Sequence, residues 1–264
     1  MKRITWFLTL SLPMIANAQL KYPETHKKEV VTDYHGTTIT DPYQWLEDDN
    51  SENTKEWVKE QNSVTFDYLA TIPYRERIKK RLALLWNYPR YSSPYKKAEY
   101  YYYYKNDGLQ NQSVLYRQKG LDGEPEVFLD PNTLNKDGIA ALGSLSFSKN
   151  SKYVAYSVAI AGSDWQDIFV METATKKLVS DKVEWTKFGG ANWNGDEGFY
   201  YSGYDKPDEK TKLSKANEFH KVFYHKIGTP QSEDKLVFED KKHPLRYHGA
   251  GLTVILPGVR VVGM

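Results

Sequence analysis

Residues 143–157 read Gly-Ser-Leu-Ser-Phe-Ser-Lys-Asn-Ser-Lys-Tyr-Val-Ala-Tyr-Ser, and residues 190–202 read Gly-Ala-Asn-Trp-Asn-Gly-Asp-Glu-Gly-Phe-Tyr-Tyr-Ser. The two stretches begin 47 residues apart, and each has a glycine, a short first run and an aromatic second run that ends in serine. A third copy begins at Gly249-Ala250-Gly251-Leu252-Thr253. Repeats of this length are typical of four-stranded propeller blades, and the chain holds about three of them.

A closed propeller typically needs about four to eight blades, so three blades would leave a sheet edge unpaired. A stacked solenoid is the alternative, but it would carry a polar capping repeat, and none is visible in the sequence. We therefore expect a mainly β fold, namely a partial β-propeller preceded by a helical N-terminal arm.

Short runs with period two flank the repeat and are bounded by Gly, Asn and Asp, which is the pattern of strands joined by turns. The predicted strands are Glu99–Lys105, Ser113–Gln118, Glu126–Leu129, Leu145–Ser148, Tyr153–Ala159, Asp167–Glu172, Phe199–Ser202 and Lys221–Lys226. The five rings of Tyr100–Tyr104 would alternate between the two faces of one strand. This favours a buried blade strand over a platform that stacks sugars or bases.

Before residue 89 the apolar residues recur mostly at three- or four-residue spacings, which places them on one side of a helix. We predict one helix that opens at Asp41-Pro42 and ends before Pro73, and a second from about Arg75 to Asn87. The two helices cannot bury their apolar faces against each other alone. These faces are expected to pack on another domain.

The composition narrows the possible chemistry. Charged residues make up 27% of the chain but cancel to a net charge of +2, which gives no reason to propose nucleic acid or an acidic membrane as the partner. Aromatic residues reach 14%, with 21 tyrosines, which favours β structure. Cysteine is absent, which excludes disulfides, cysteine-ligated zinc and a thiol nucleophile.

The N-terminus has the pattern of a secretory signal. Lys2 and Arg3 precede an apolar run from Ile4 to Ile15, and Ala16-Asn17-Ala18 is a small-residue cleavage site. Retention as an anchor is the alternative, but a spanning helix needs about 20 mostly apolar residues. We predict cleavage after Ala18 and a periplasmic or secreted protein.

No local motif assigns a reaction. The sequence lacks the Gly-x-Ser-x-Gly elbow, His-Glu-x-x-His, the phosphate-binding Gly-x-x-x-x-Gly-Lys-Ser/Thr and a helix-opening Gly-x-Gly-x-x-Gly. Two histidine pairs are each spaced five apart, which places the partners on opposite strand faces and argues against metal binding. A run of three acidic residues is interpreted as a solvated face that favours a helix start. These residues are His220 and His225, His243 and His248, and Glu47, Asp48 and Asp49.

Several longer motifs resemble the prolyl oligopeptidase family in order and spacing, from about Tyr22 to about Thr253. They are Asp41–Glu47, Gly108–Gln112, Phe128–Asn132, Gly162–Trp165, Tyr224-His225, Gly228-Thr229 and Gln231–Asp234. The resemblance implies a serine peptidase that cuts after proline in short peptides. In that family a seven-bladed propeller restricts access to an α/β-hydrolase domain, on which the N-terminal arm packs.

The family's catalytic Ser, Asp and His lie in a C-terminal segment with no counterpart here, so the resemblance transfers no catalytic residue and implies no cofactor and no metal. It does match Phe188 with a propeller aromatic that lines the substrate cavity; core packing is the alternative. Tyr247 falls near another cavity position, but there the local match is poor. The implied partners are short proline-containing peptides and the missing hydrolase segment, with no nucleic acid and no membrane after signal cleavage.

These expectations divide the chain into a signal peptide, residues 1–18, and a helical arm, residues 19–89. Propeller blades 1–3 follow over residues 90–243, and residues 244–264 begin a further blade. After residue 253 the sequence departs from the family pattern, which we interpret as a shifted frame or premature stop. Two functions remain open: the front part of a prolyl oligopeptidase, inactive by itself, or a non-catalytic propeller that binds peptides or proteins.

Overall fold

The computed structural model describes residues 20–208, 212, 215–253 and 258–263, the last segment by its backbone alone. The predicted signal peptide lies outside these residues. The chain divides into two compact units, residues 1–78 and 79–264. Neither helix in the described part is long and apolar enough to cross a bilayer. The predicted boundary between arm and propeller, at residue 89, stays a prediction.

The first unit begins with a hairpin that the helical prediction missed. Strands β1 (Val30–Tyr34) and β2 (Thr37–Asp41) pair antiparallel. The turn between them places His35 at φ 54° and Gly36 at φ 88°, the left-handed conformation that two-residue hairpins need. The β-branched residues between 37 and 40 favour a strand.

The predicted helix start at Asp41-Pro42 is therefore wrong. Gln44–Glu47 form a single 3₁₀ turn, and helix α1 runs over Glu52–Ala70. It begins there because the hydroxyl of Ser51 accepts the backbone N–H of Thr54 at 3.2 Å, which satisfies a donor that the first turn leaves free. Glu47, Asp48 and Asp49 precede this cap, and the two aspartates are exposed, as the solvated interpretation predicts.

Helix α2 (Arg75–Trp86) has nearly the predicted bounds. Its apolar side chains are not covered: Leu82 is 50% exposed, Leu85 51% and Trp86 58%. Helix α1 buries only Thr54. As expected, the two helices do not cover their own apolar faces.

The second unit consists of antiparallel sheets whose strands follow one another in chain order. Blade 1 contains β3–β7, blade 2 contains β8–β11 and blade 3 contains β12–β15, and β16 and β17 form a final pair. Their bounds are β3 Arg90–Tyr91, β4 Tyr95–Lys97, β5 Tyr100–Asn106, β6 Val114–Lys119, β7 Glu126–Leu129, β8 Ala140–Phe147, β9 Tyr153–Ile160, β10 Gln166–Glu172, β11 Leu178–Thr186, β12 Asn192–Asn194, β13 Gly198–Gly203, β14 Lys221–Lys226, β15 Lys235–Glu239, β16 His248–Thr253 and β17 Gly258–Gly263.

The partial propeller is thus confirmed, and the 47-residue repeat corresponds to the first two strands of blades 2 and 3. All eight predicted strands exist. The eight predicted strands do not include β3, β4, β11, β12, β15, β16 or β17, and the prediction began β8 five residues late. β11 and β15 were missed because they are outer strands with charged residues in place of strict alternation, and register shifts interrupt the pairing of both.

The hydrophobic core lies between consecutive blades. In β9, Val154, Tyr156 and Val158 face a cluster shared with Tyr102 and Phe128 of blade 1. The intervening Ala155 belongs to a second cluster, which also contains Phe199 and Tyr201 of blade 3. A central blade therefore buries both faces of its strands, because successive side chains point to opposite sides.

The tyrosine-rich strand β5 shows the predicted alternation. Tyr102 is fully buried and packs edge-on against Phe128, with ring centroids 5.1 Å apart. Tyr103 points to the other face and stacks on Tyr116 at 5.8 Å. The buried-strand interpretation is confirmed.

Candidate functional site

The candidate site is a cleft of about 510 Å³ in the second unit. The connection from β11 to β12 forms one wall, and residues next to β14 and β16 form another. Its lining residues are Lys187, Phe188, Gly189, Gly190, Asn192, Ser202, His220, Tyr247, His248 and Gly249. Pockets of this size accommodate several atoms of a ligand.

Phe188 lies at this cleft and is 64% exposed, so the alternative of core packing does not describe it. Its ring meets the ring of Tyr247 nearly edge-on, with centroids 6.3 Å apart. Its backbone has φ 54°, which a non-glycine residue adopts only at a cost of about 1–2 kcal/mol. An exposed aromatic ring on a strained loop is typical of a binding surface, and its role toward a substrate stays a prediction.

Lys187 anchors the same loop to buried neighbours. It is 7% exposed, its ammonium lies 4.0 Å from the ring centroid of Trp165, and it donates to Asn217 Oδ1 at 2.8 Å. Burial lowers the pKa of Lys187, and the charge of Asp164 partly opposes that shift. The lysine therefore holds the loop through a cation–π contact and a hydrogen bond.

The opposite wall contains two buried histidines that the sequence did not connect. The backbone N–H of His248 donates to Nδ1 of His220 at 2.8 Å. Burial, and then the neighbouring His248, lower the pKa of His220 to about 4. His220 is therefore neutral near pH 7 with its proton on Nε2, and this buried N–H has no hydrogen-bond partner among the described residues.

Among the described residues, the cleft does not pair a serine nucleophile with a histidine base. Ser202 lines it, yet no histidine is hydrogen-bonded to that hydroxyl within the described residues. The described part of the chain also holds no group of three histidine or acidic side chains that could bind a metal ion. A serine mechanism needs a nucleophile, a base and oxyanion donors together.

The histidine pairs separate into different environments. His220 precedes β14, whereas His225 lies within it and is fully buried. His243 is exposed and bonds Asp240 at 2.7 Å, whereas His248 is buried in β16. Spacing alone could not show that His220 meets His248 or that His225 meets two carboxylates.

Comparisons with known proteins now add to this geometry. A family model described as "Prolyl oligopeptidase, N-terminal beta-propeller domain" matches residues 22–254. The chain is 50% identical over 234 residues to the prolyl endopeptidase of Elizabethkingia meningoseptica, covering 89% of this chain and 33% of that protein. It is 32% identical over 256 residues to the dual function macrocyclase-peptidase POPB of Galerina marginata, covering 87% of this chain and 35% of that protein.

Among solved structures, the fold is similar to prolyl oligopeptidase B from Galerina marginata bound to a 35mer hydrolysis and macrocyclization substrate. The TM-score is 0.77 at 30% identity, and the match covers 92% of this chain and 37% of that one. The chain thus spans about a third of the length of the curated relatives that it matches.

Proposed function

Because the chain belongs to the prolyl oligopeptidase family through its N-terminal β-propeller domain, we propose that it is the propeller portion of a serine endopeptidase that cleaves after proline in short peptides. The family match over residues 22–254 carries this proposal. The match covers 33% of the Elizabethkingia meningoseptica enzyme, and residues 1–264 by themselves are proposed to be inactive. Its partners are short proline-containing peptides and the hydrolase segment.

The cleft supports a role in receiving the peptide. Phe188 and Tyr247 are 64% and 40% exposed, and a proline ring packs well against aromatic surfaces because both are apolar and rigid. The neutral His220 next to them adds no charge that would repel a peptide. We propose that Phe188 contacts the substrate.

A chimaera tests the proposal directly. In the prolyl endopeptidase of Elizabethkingia meningoseptica, the matched region would be replaced by residues 20–253 of this chain. We expect the chimaera to hydrolyse a fluorogenic peptide with proline before the scissile bond, and the 264-residue chain alone to show no hydrolysis above blank. A chimaera that is folded but inactive, or hydrolysis by the chain alone, would contradict the proposal.

The contribution of Phe188 can be measured in the same chimaera. We expect Phe188→Ala to raise KM about tenfold with kcat nearly unchanged, because one lost aromatic contact weakens binding by roughly 1–2 kcal/mol. Leu178→Ala is the matched control, because Leu178 is an exposed apolar residue (59%) on β11, the strand that leads into the loop of Phe188, and does not line the cleft. Equal KM values for the two variants would remove Phe188 from the substrate site.

A non-catalytic binding module is the second candidate, and the cleft favours it because the cleft exists within the chain itself. This function requires the chain alone to melt cooperatively, to stay monodisperse and to bind a proline-containing peptide. Circular dichroism and fluorescence titration of the isolated chain test these three properties. Failure of any one of them would contradict the binding module.

We also propose that the protein is exported and reaches the periplasm or the medium. The basic, apolar and small-residue pattern of residues 1–18 supports this location. Mass spectrometry of the mature protein should find an N-terminus at Gln19. Recovery of intact Met1 from the cytoplasmic fraction would contradict export.

A further inference from the structure

The interface between blades 2 and 3 contains polar groups that the proposed function does not use. Its strand ends are joined by the hydroxyl of Ser146, which donates to the carbonyl of Ala191 at 2.7 Å, and by the indole of Trp193, which donates to the carbonyl of Ser146 at 3.1 Å. Near the outer strands the same interface holds a fully buried histidine, His225 of β14. This histidine lies between two carboxylates from different parts of the chain.

The geometry around the ring is specific. Nδ1 of His225 lies 2.7 Å from Oδ1 of Asp234, and Nε2 lies 3.3 Å from Oδ2 of Asp181. Asp181 belongs to β11 of blade 2, whereas Asp234 directly precedes β15 of blade 3. The Asp181–His225–Asp234 bridge therefore links the two blades, and all three side chains are at most 2% exposed.

The other hydrogen bonds at the bridge show that the carboxyl groups of Asp181 and Asp234 are acceptors. Oδ2 of Asp181 also accepts the backbone N–H of Gly228 at 2.7 Å, and Oδ2 of Asp234 accepts the hydroxyl of Tyr201 at 2.8 Å. Both carboxyl groups thus act as acceptors. A ring that meets an acceptor at each nitrogen must donate from both, and only the imidazolium form has two N–H groups.

Among the described residues, no lysine or arginine takes the place of His225. Within the described residues, neither Asp181 nor Asp234 forms an ion pair with a lysine or arginine. The remaining neighbours are Phe199, whose ring lies 5.2 Å from that of His225, and Tyr201, whose pKa is raised by burial and then by the charge of Asp234. The histidine proton therefore decides the charge balance between the blades.

A glutamine completes the attachment of β11 to blade 3. Oε1 of Gln231 accepts the backbone N–H of Glu184 at 2.9 Å, and its Nε2 donates to the carbonyl of the same residue at 3.1 Å. Beyond Glu184, β11 ends at Thr186 and the chain enters the loop of Phe188. The bridge and Gln231 thus hold the strand that leads into the cleft.

We propose that the Asp181–His225–Asp234 bridge is a pH-sensitive lock between blades 2 and 3, closed while His225 is an imidazolium and loosened when His225 loses its proton. Deprotonation removes one of the two N–H donors and leaves a ring lone pair facing a buried carboxylate. Two buried negative charges then have no positive partner. This destabilises the attachment of β11, and through it the cleft loop.

The direction of the pH dependence follows from the surroundings of the ring. Burial alone would lower the pKa of His225, but the hydrogen bond and charge of Asp234, followed by those of Asp181, outweigh it and raise the pKa above its ordinary value. A raised pKa means that the stabilisation is fully present below the pKa of the unfolded chain. It is lost as the pH rises through the higher pKa of the folded state.

Nuclear magnetic resonance of the full 264-residue chain, labelled with ¹⁵N-histidine, tests the lock. The ring nitrogens of His225 should titrate with a midpoint above the ordinary value of about 6.5. Asp181→Asn and Asp234→Asn preserve shape but remove one charge, so each should lower the midpoint by about one unit, a tenfold change in proton affinity. His243→Gln is the control, because among the described residues that exposed ring bonds Asp240 and not the bridge, so its loss should leave His225 unchanged.

Amide hydrogen exchange tests the structural consequence. After correction for intrinsic rates, protection in β11 and β14 should fall between pH 6 and pH 9 by at least about tenfold, while β5 and β6 of blade 1 keep theirs. His225→Gln should be weakly protected at both pH values, and Asp181→Asn supplies the same comparison if that variant does not fold. A His225 midpoint at or below the ordinary value, pH-independent protection, or unprotected β11 and β14 amides at pH 6 would overturn the lock.

Discussion

Gly198, the first residue of β13, shows how closely two strands approach within blade 3. A Cβ added there would overlap the carbonyl oxygen of His225 and lie 2.7 Å from the hydroxyl of Tyr224. Gly198 pairs with Lys226, so the obstructing atoms belong to the neighbouring strand that carries His225. Glycine is required here by space between backbones, since its φ is not in the left-handed region.

We therefore expect Gly198→Ala to destabilise the second unit by about 2 kcal/mol, because backbone atoms must move to admit the methyl group. Gly249→Ala is the matched control, as that glycine also lies in a strand and a Cβ there meets no atom within 4 Å. In urea denaturation, Gly198→Ala should have a lower unfolding midpoint than the unsubstituted chain and the same m-value, whereas Gly249→Ala should leave the midpoint unchanged. Equal midpoints would show that β13 and β14 can separate without cost.

The guanidinium of Arg117 in β6 joins blade 1 to blade 2. Its Nε donates to Oε1 of Glu126 at 2.6 Å, and its other nitrogens donate to the carbonyls of Thr173 and Ala174 in the turn between β10 and β11. Lys176 of the same turn donates to Oε2 of Glu126 at 2.7 Å. This turn thus contributes two carbonyls and a cation to the neighbouring blade.

We expect Arg117→Gln to cost about 2 kcal/mol, because two backbone carbonyls lose a charged donor and the buried guanidinium packing is lost. Lys119→Gln should give no measurable change, since its ion pair with Glu99 is exposed on the same strand. Thermal melts of both variants provide the comparison. A result in which the two variants melt alike would mean that the turn does not fasten blade 2.

Most helices and strands were predictable from the sequence, and the predictions that failed did so for local reasons. Periodicity found α2 and the inner strands because each buries a regular face. It extended the first helix back to Asp41 because Tyr43 and Leu46 continue a helical spacing, although Thr37–Asp41 form a strand. The cap at Ser51, two residues beyond Asp49, was the signal that could have corrected this start.

At the scale of the whole molecule, the exposed apolar side chains of the two helices predict self-association of the isolated chain. Phe66, Leu82 and Leu85 are each at least 50% exposed. Apolar helix side chains with this degree of exposure are covered in stable proteins by another domain or another chain.

We expect the double variant Leu82→Gln and Leu85→Gln to reduce the oligomeric fraction of the chain in sedimentation velocity, because it removes apolar surface and preserves helix propensity. The double variant Arg77→Gln and Lys80→Gln introduces the same side chains away from that face and serves as the control. Unchanged association in the first variant would place the contact elsewhere, for example on a sheet edge.

The sequence by itself determined the fold class, since a 47-residue repeat of alternating runs has few solutions other than propeller blades. Through the family resemblance, the sequence also predicted Phe188 as a substrate contact. The structure shows that this residue is exposed at the cleft, and its role toward a substrate stays a prediction. Only the tertiary structure decided which polar groups meet. His225 contacts Asp181 44 residues away, and His220 contacts His248 28 residues away. These partners lie far apart in the sequence, and local periodicity gives the face on which a side chain lies but not the residue that the fold places against it.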